Sequence, residues 1–203
     1  MGAMISDLPA GFADAMLSAQ STFRAIMEAM ARPGTIQHVA ATVGVPSGLT
    51  HAAAALALTL FDHDTPVWLD PALAAAPDVA VWLKFHTGAP VVTETAKASF
   101  ALIRDCALLP DLGSFALGSG EYPDRSTTLI LQVASLGEGA AYELRGPGIQ
   151  GTAMLRAAIA PDDLFDRLAI NKELFPRGID VVLVHDDGMA AIPRTTRIVV
   201  AGG

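Results

Sequence analysis

Ten arginines and three lysines supply the fixed positive charge of this 203-residue chain, and three of those arginines lie within residues 177–197. Arg194-Thr195-Thr196-Arg197 places two guanidinium groups around two hydroxyls, and Arg177 precedes the same hairpin. A guanidinium fork and a hydroxyl can share the oxygens of a phosphate or phosphonate. Arg177, Arg194, Thr195, Thr196 and Arg197 are therefore the candidate anion-binding residues. Read as a strand, the segment turns Arg194 and Thr196 to one face and Thr195 and Arg197 to the other. On that reading, at most half of the motif can line one pocket. The plainer alternative is a terminal hairpin carrying solvated charges.

Other chemistry is sparse. None of the five histidines forms a His-x-x-x-His or His-x-His pair. His63 lies between Asp62 and Asp64, a pattern that suits a metal or an oriented imidazole, although a solvated loop tip explains it more economically. His86 falls at a helix C-terminus, where the dipole favours an imidazolium. Gly118-Ser119-Gly120 has the look of a phosphate loop but lacks the third glycine and the following helix. No serine stands in a Gly-x-Ser-x-Gly elbow, and Lys84, Lys97 and Lys172 have no Schiff-base context. The single cysteine, Cys106, excludes an internal disulfide and an all-cysteine cluster within one chain. No catalytic residue, metal or cofactor is assigned.

The elements that must position these residues follow from periodicity. Ile179 to Val184 is an apolar, β-branched run typical of a buried strand. Asp187-Gly188 signals a hairpin, Met189 to Ile192 returns, and Pro193 marks an edge or a break. Ile198 to Val200 adds a further run, and Phe175-Pro176-Arg177-Gly178 makes a rigid, non-helical approach. Upstream, residues 11–31 repeat apolar side chains at helical spacing (Phe12, Met16, Phe23, Ile26, Met27, Met30) and stop at Arg32-Pro33-Gly34. That methionine-rich face suits a core or an adaptable interface. Thr35 to Ala41 is extended. Ser47 to Phe61, capped by Ser47 or Thr50, and Pro77 to His86 read as helices. Residues 62–69 leave the helix and enter a strand, Val91-Val92 begins the next, Ser99 to Ile103 is another strand candidate, and Asp105 to Leu109 a short helix. Ser126 to Ser135 is the clearest strand, with 141–145 as its antiparallel partner across Gly137-Glu138-Gly139. A last helix runs from Pro161-Asp162-Asp163 to Leu174. The mixture predicts one mixed sheet with helices on its faces.

Composition narrows the class. Net charge is −8, which argues against nucleic acid. The chain is 52% hydrophobic with a mean hydropathy of +0.43, yet no apolar run approaches the roughly 18 residues of a membrane span. The excess points to a full core plus a subunit interface. Met1-Gly2-Ala3 has no basic leader and reads as a remnant ahead of a natural Met4. The expectation is a cytoplasmic protein with one domain over residues 4–203.

Seven segments resemble the H subunits of the bacterial carbon–phosphorus lyase core complex, the PhnH family. They are FRAIMEAMARPG (23–34), DTPVWL (64–69), LKFHTGAPVV (83–92), TLILQVASL (128–136), LRGPGI (144–149), FPRGIDVVLV (175–184) and AIPRTT (191–196). The resemblance runs in order through nearly the whole chain. It implies an α/β fold, a three-layer α/β/α sandwich like the large domain of pyridoxal-phosphate-dependent transferases without the cofactor. It implies a role in phosphonate catabolism, supporting formation of α-D-ribose 1-methylphosphonate 5-triphosphate from ATP and methylphosphonate. It implies the G, I and J subunits as partners, with a homodimer when isolated. The absence of nucleophile and base motifs favours a structural or pocket-completing subunit, inactive alone. The alternative is direct binding of, or transfer chemistry on, a phosphorylated small molecule by this chain.

Overall fold

The computed structural model describes residues 8–161, 163–168 and 170–200. Helix α1 (Ala15–Ala31) starts where the Asp14 carboxylate accepts the Leu17 N–H at 3.0 Å. Strand β1 (Gln37–His38) follows, then α2 (His51–Leu60), capped by Thr50. Ala52 to Ala57 of α2 are all fully buried. The methyl side chains let this helix lie against both the sheet and its neighbouring helices.

Strand β2 (Val67–Leu69) leads through two helices, α3 (Pro71–Ala74) and α4 (Pro77–Thr87), to β3 (Val91–Val92). Strand β4 (Phe100–Ile103) and β5 (Thr128–Gln132) come next. Then come β6 (Ser135–Arg145), β7 (Ala153–Ala158), α5 (Leu164–Leu168) and α6 (Ile170–Leu174). Strands β8 (Asp180–His185), β9 (Gly188–Ile192) and β10 (Arg197–Val200) close the chain. Asp162, which the sequence places at the start of the last helix, lies outside the described residues, as does the Met1–Met4 start.

Seven strands form the main sheet in the order β1-β9-β8-β5-β4-β2-β3. The pairs β8·β5, β5·β4, β4·β2 and β2·β3 are parallel, and β9 is antiparallel to both neighbours. The mixed α/β class therefore agrees with the sequence reading. Side chains alternate cleanly between two cores. Leu102, Ile130, Val182 and Val184 point to the face covered by α1, α2, α3 and α4. Ile103, Leu129, Leu131, Val181 and Leu183 point to the other.

That second face departs from the expectation. It is covered largely by a second, three-stranded antiparallel sheet, ordered β10-β6-β7, together with α5. The helices needed for a second complete layer are replaced by Tyr142, Leu144, Leu155 and Ala157 of this small sheet. The strand pairing of residues 126–135 with 141–145 is corrected for the same reason. β5 is apolar without alternation because both its faces are buried, and it pairs in parallel with β4 and β8. Residues 141–145 belong to β6, whose partners are β7 and β10.

The hairpin lies one residue from its sequence signal. His185 pairs with Gly188, so Asp186-Asp187 form the turn, with Asp186 at φ +48°. β9 is interior rather than an edge, because β1 pairs along its outer side. Pro193 ends it.

Gly137 and Gly139 mark the irregularity in β6, where the register against β7 shifts between Leu136 and Ala140. Their φ values are +96° and +97°. A Cβ at Gly139 would sit 2.7 Å from the Ala157 carbonyl oxygen, whereas at Gly137 the nearest atom is 3.9 Å away. Gly137→Ala is expected to cost about 1–2 kcal/mol of conformational strain. Gly139→Ala should cost clearly more, since β6 and β7 must part. Urea unfolding midpoints compared at equal m-value check this order.

Candidate functional site

The candidate anion residues gather at the amino ends of β5 and β8. Pro193 to Thr196 is not a strand: the Thr196 N–H donates to the Pro193 carbonyl at 2.8 Å, closing a turn between β9 and β10. Strand alternation therefore does not apply. Arg194, Thr195, Thr196 and Arg197 line one cavity of about 560 Å³ together with Phe165, Leu168, Asn171 and Phe175. Arg177 is exposed and is not among the lining residues.

Convergence does not make the two cavity arginines equivalent. Arg194 is largely buried, with 13% of its side chain exposed, and it meets Asp180, 15% exposed. Its backbone N–H donates to Asp180 Oδ1 at 2.7 Å and its Nε to the same oxygen at 3.2 Å. Nη2 contacts Asp180 Oδ2 and donates to the Ser126 hydroxyl at 2.5 Å, and Nη1 donates to the Pro123 carbonyl at 2.7 Å. The guanidinium is a clamp joining the 123–126 segment, the start of β8 and the exit from β9. Asn171 performs a similar task beside it. Its side chain exchanges two hydrogen bonds with the Ile179 backbone, at 2.8 and 2.9 Å. Gly178 holds φ +142°, and a Cβ there would meet Asn171 Oδ1 at 2.6 Å, which accounts for the glycine after Arg177.

Arg197 is different. It pairs across the small sheet with Arg145, an unfavourable juxtaposition of like charges. Arg145 resolves it by turning to Glu143, with contacts at 2.6 and 2.7 Å. Among the described residues the Arg197 guanidinium has no ion-pair partner. The Thr196 hydroxyl oxygen, shielded from solvent, has no hydrogen-bond partner either. Arg197 thus lines a cavity with apolar walls, while the Thr196 hydroxyl is buried within the wall.

The remaining candidates take structural places. His63 sits on an exposed tip, 3.3 Å from Asp64, and among the described residues no group of three metal-ligating side chains assembles. The His86 Nε2 donates to the Pro9 carbonyl at 3.0 Å, and Trp82 Nε1 donates to the same oxygen at 2.9 Å. These two side chains pin the N-terminal segment against α4. Gly118-Ser119-Gly120 belongs to a loop closed by Ser119 and Tyr122 through two mutual hydrogen bonds. Cys106 is buried, and burial, reinforced by the Asp105 and Asp70 carboxylates, pushes its thiol up to about 11, with Arg167 opposing. It is a protonated core side chain at neutral pH.

Sequence reasoning missed Asp70. This carboxylate is fully buried at the end of β2 and accepts three backbone N–H groups, from Leu73 at 2.8 Å, Arg104 at 2.9 Å and Asp105 at 2.8 Å. The Asp-Pro step before α3 was its only local signal, that of a helix cap.

Known proteins agree with this chain along almost all its length. Residues 10–199 match the family described as "Bacterial phosphonate metabolism protein (PhnH)". The chain belongs to the PhnH family. It is 44% identical over 187 residues to the "Alpha-D-ribose 1-methylphosphonate 5-triphosphate synthase subunit PhnH" of Rhizobium meliloti (strain 1021), covering 92% of this chain and 93% of that protein. It is 32% identical over 184 residues to the "Putative C-P lyase subunit protein HtxG" of Stutzerimonas stutzeri, covering 90% and 87%. Among the described residues of this PhnH family member, no helix is long and apolar enough to cross a membrane.

Two outcomes follow from the geometry. Arg194→Met strands the part-buried Asp180 carboxylate and should lower stability by about 2–4 kcal/mol, read from denaturant unfolding. Restoring a neutral partner with Asp180→Asn should recover part of that loss. For Cys106 the sign is fixed by the raised thiol. Well below the ordinary thiol value of 9.0 both folded and unfolded chains keep the proton, so stability does not depend on it. As pH rises from 9.0 to about 11, the unfolded chain ionises first and the folded state loses stability. The loss should total about 2–3 kcal/mol and be absent from the slope of Cys106→Ala. An identical alkaline slope in both proteins would contradict it.

Proposed function

We propose that this chain serves organic phosphonate catabolism as a cytoplasmic subunit of the carbon–phosphorus lyase machinery. In this reading it supports formation of α-D-ribose 1-methylphosphonate 5-triphosphate from ATP and methylphosphonate, as a single domain that completes or scaffolds a site shared with partner subunits. The carrying observation is the 44% identity, over 93% of its length, to a relative named as a subunit of that synthase. Two physical features support a subunit role. The only cysteine is a buried, protonated thiol, and Arg194 is consumed by the Asp180 clamp. The outer side of α1 exposes Met16, Leu17, Phe23 and Met27, an apolar surface suited to an adaptable partner. We assign the G, I and J subunits as partners and a homodimer as the isolated form. We also read the seven-stranded, mostly parallel sheet as kin to the large domain of pyridoxal-phosphate-dependent transferases.

The experiment is reconstitution. Mixed with the other core subunits, the purified chain should co-elute on gel filtration as a stable complex, and alone it should scatter light as a dimer. Phe23→Glu combined with Met27→Glu should weaken assembly by at least about tenfold, while leaving the melting temperature within about two degrees. Separate elution of the unaltered chain and its partners would reject the subunit reading.

A second reading has its own observation. Arg197, which has no ion-pair partner among the described residues, supports direct binding of a phosphorylated small molecule in the cavity at the amino ends of the strands. Of the five residues assigned from sequence, Thr195 and Arg197 would make contact, Arg194 and Thr196 would hold the wall, and Arg177 would act only at the rim. Calorimetry with ATP or ribose phosphates, and its loss in Arg197→Ala, tests this reading.

A further inference from the structure

The small sheet buries one face and turns the other to solvent. Tyr142, Leu144, Leu155 and Ala157 point inward and are buried. Strand alternation then puts Ala141, Glu143, Arg145, Met154, Arg156 and Arg197 on the outward face. Glu143 and Met154 form the middle row, with Arg145 and Arg197 to one side of it and Arg156 to the other. Three guanidinium groups thus share a surface with one carboxylate, in a chain whose net charge is −8. Glu138 lies past the register shift, outside these rows. The cations are poorly neutralised. Arg145 pairs with Glu143. Arg156 donates to the Gly139 carbonyl at 3.1 Å, and among the described residues neither it nor Arg197 meets a carboxylate. Arg145 and Arg197 stand directly opposite each other, which costs stability in a sheet left to itself.

We propose that this face is a docking surface for an acidic patch on a partner protein. The inference rests on the subunit reading given above and assigns it a second contact. Charge complementarity selects the occupant, since carboxylates placed over the arginines neutralise them and relieve the Arg145–Arg197 repulsion. A flat pleated surface gives a small anion no concave seat. An anionic membrane or a nucleic-acid backbone meets the long-range repulsion of a chain with net charge −8. A folded protein can offer a patch of matching size, together with an apolar contact for Met154, which is 52% exposed in the middle row. Composition agrees. Arginine and methionine are enriched at protein interfaces, and lysine, which is depleted there, is absent from β6, β7 and β10. The exposed side of α1 is a different surface, on the helix layer that covers the other face of the main sheet. Its contacts are apolar and insensitive to salt, whereas those of the small sheet are ionic.

The test is binding of the other core subunits to the purified full chain at two salt concentrations. Association should weaken several-fold as salt rises from about 0.05 to 0.3 M. Arg156→Glu combined with Arg197→Glu should weaken it at least about tenfold at the lower salt and remove most of the salt dependence. Arg156→Glu alone should give part of that loss, and Arg156 is not among the residues lining the Arg197 cavity, so a ligand in that cavity does not produce it. Melting separates docking from a structural role. Arg197→Glu sets a carboxylate opposite Arg145, so the melting temperature should hold or rise by about one to three degrees while binding falls. Met154→Ala should weaken binding a few-fold and leave the salt dependence intact. Failure of the unaltered chain to bind rejects the subunit reading and this face with it. Undiminished binding by the folded double variant, or association of the parent that ignores salt, overturns the face alone. Equally tight, arginine-dependent binding to phosphatidylserine vesicles or duplex DNA overturns it as well.

Discussion

A sheet of parallel strands carries apolar side chains on both faces, and each face must be covered before the fold is stable. That requirement shapes this protein more than any single bond. Ile130 and Val182 look toward α1 and α2, while Leu129, Leu131 and Val181 look the other way. The helices of the first hundred residues cover one side. Few helical residues remain for the other, and the chain covers it with β6, β7 and β10 instead. A small antiparallel sheet can do this because its own alternation presents Tyr142, Leu144 and Leu155 inward.

Joining two sheets within one chain requires a junction that does not slip. Here it falls between β9 and β10, at Pro193 to Thr196. Pro193 cannot extend the β9 ladder, and the turn that follows redirects the chain to the second sheet. Arg194 then locks the turn to Asp180 and to the 123–126 segment. A residue type chosen by inspection for ligand chemistry is thus engaged in holding two layers together. The same junction leaves Arg197 and Thr196 lining a cavity, since β10 must run beside Arg145 on the edge of the small sheet.

The opposite end of the main sheet is organised by a different polar device. Asp70 is fully buried, and three backbone N–H groups satisfy it. A buried carboxylate without such partners would be strongly disfavoured. With them, it fixes where the chain leaving β2 and the chain leaving β4 part company. Gln132 does the equivalent between β5 and α2. Polar side chains at both ends of the sheet therefore fix where its connections diverge, and the apolar residues between them determine only that a sheet exists.

Local pattern alone was enough for most individual elements. The apolar period places α1, and the cap at Ser47 or Thr50 places α2, close to where they fold, and the β-branched runs identify β5 and β8, because these signals act within a few residues. Family membership was equally legible, since seven ordered segments carry it. Pairing was not. The run at 126–135 and the run at 141–145 looked like a hairpin, yet they lie in different sheets, because strand partners are selected by burial across the whole fold. The site was half legible for the same reason. Four of its five residues meet at one cavity, but the roles of Arg194 and Arg197 depend on Asp180 and Glu143, which no spacing rule connects to them. Asp70 gave no motif at all. Residue types declare what chemistry is available; only the folded chain decides which charges are already paired, because pairing is a matter of distance in space rather than along the sequence.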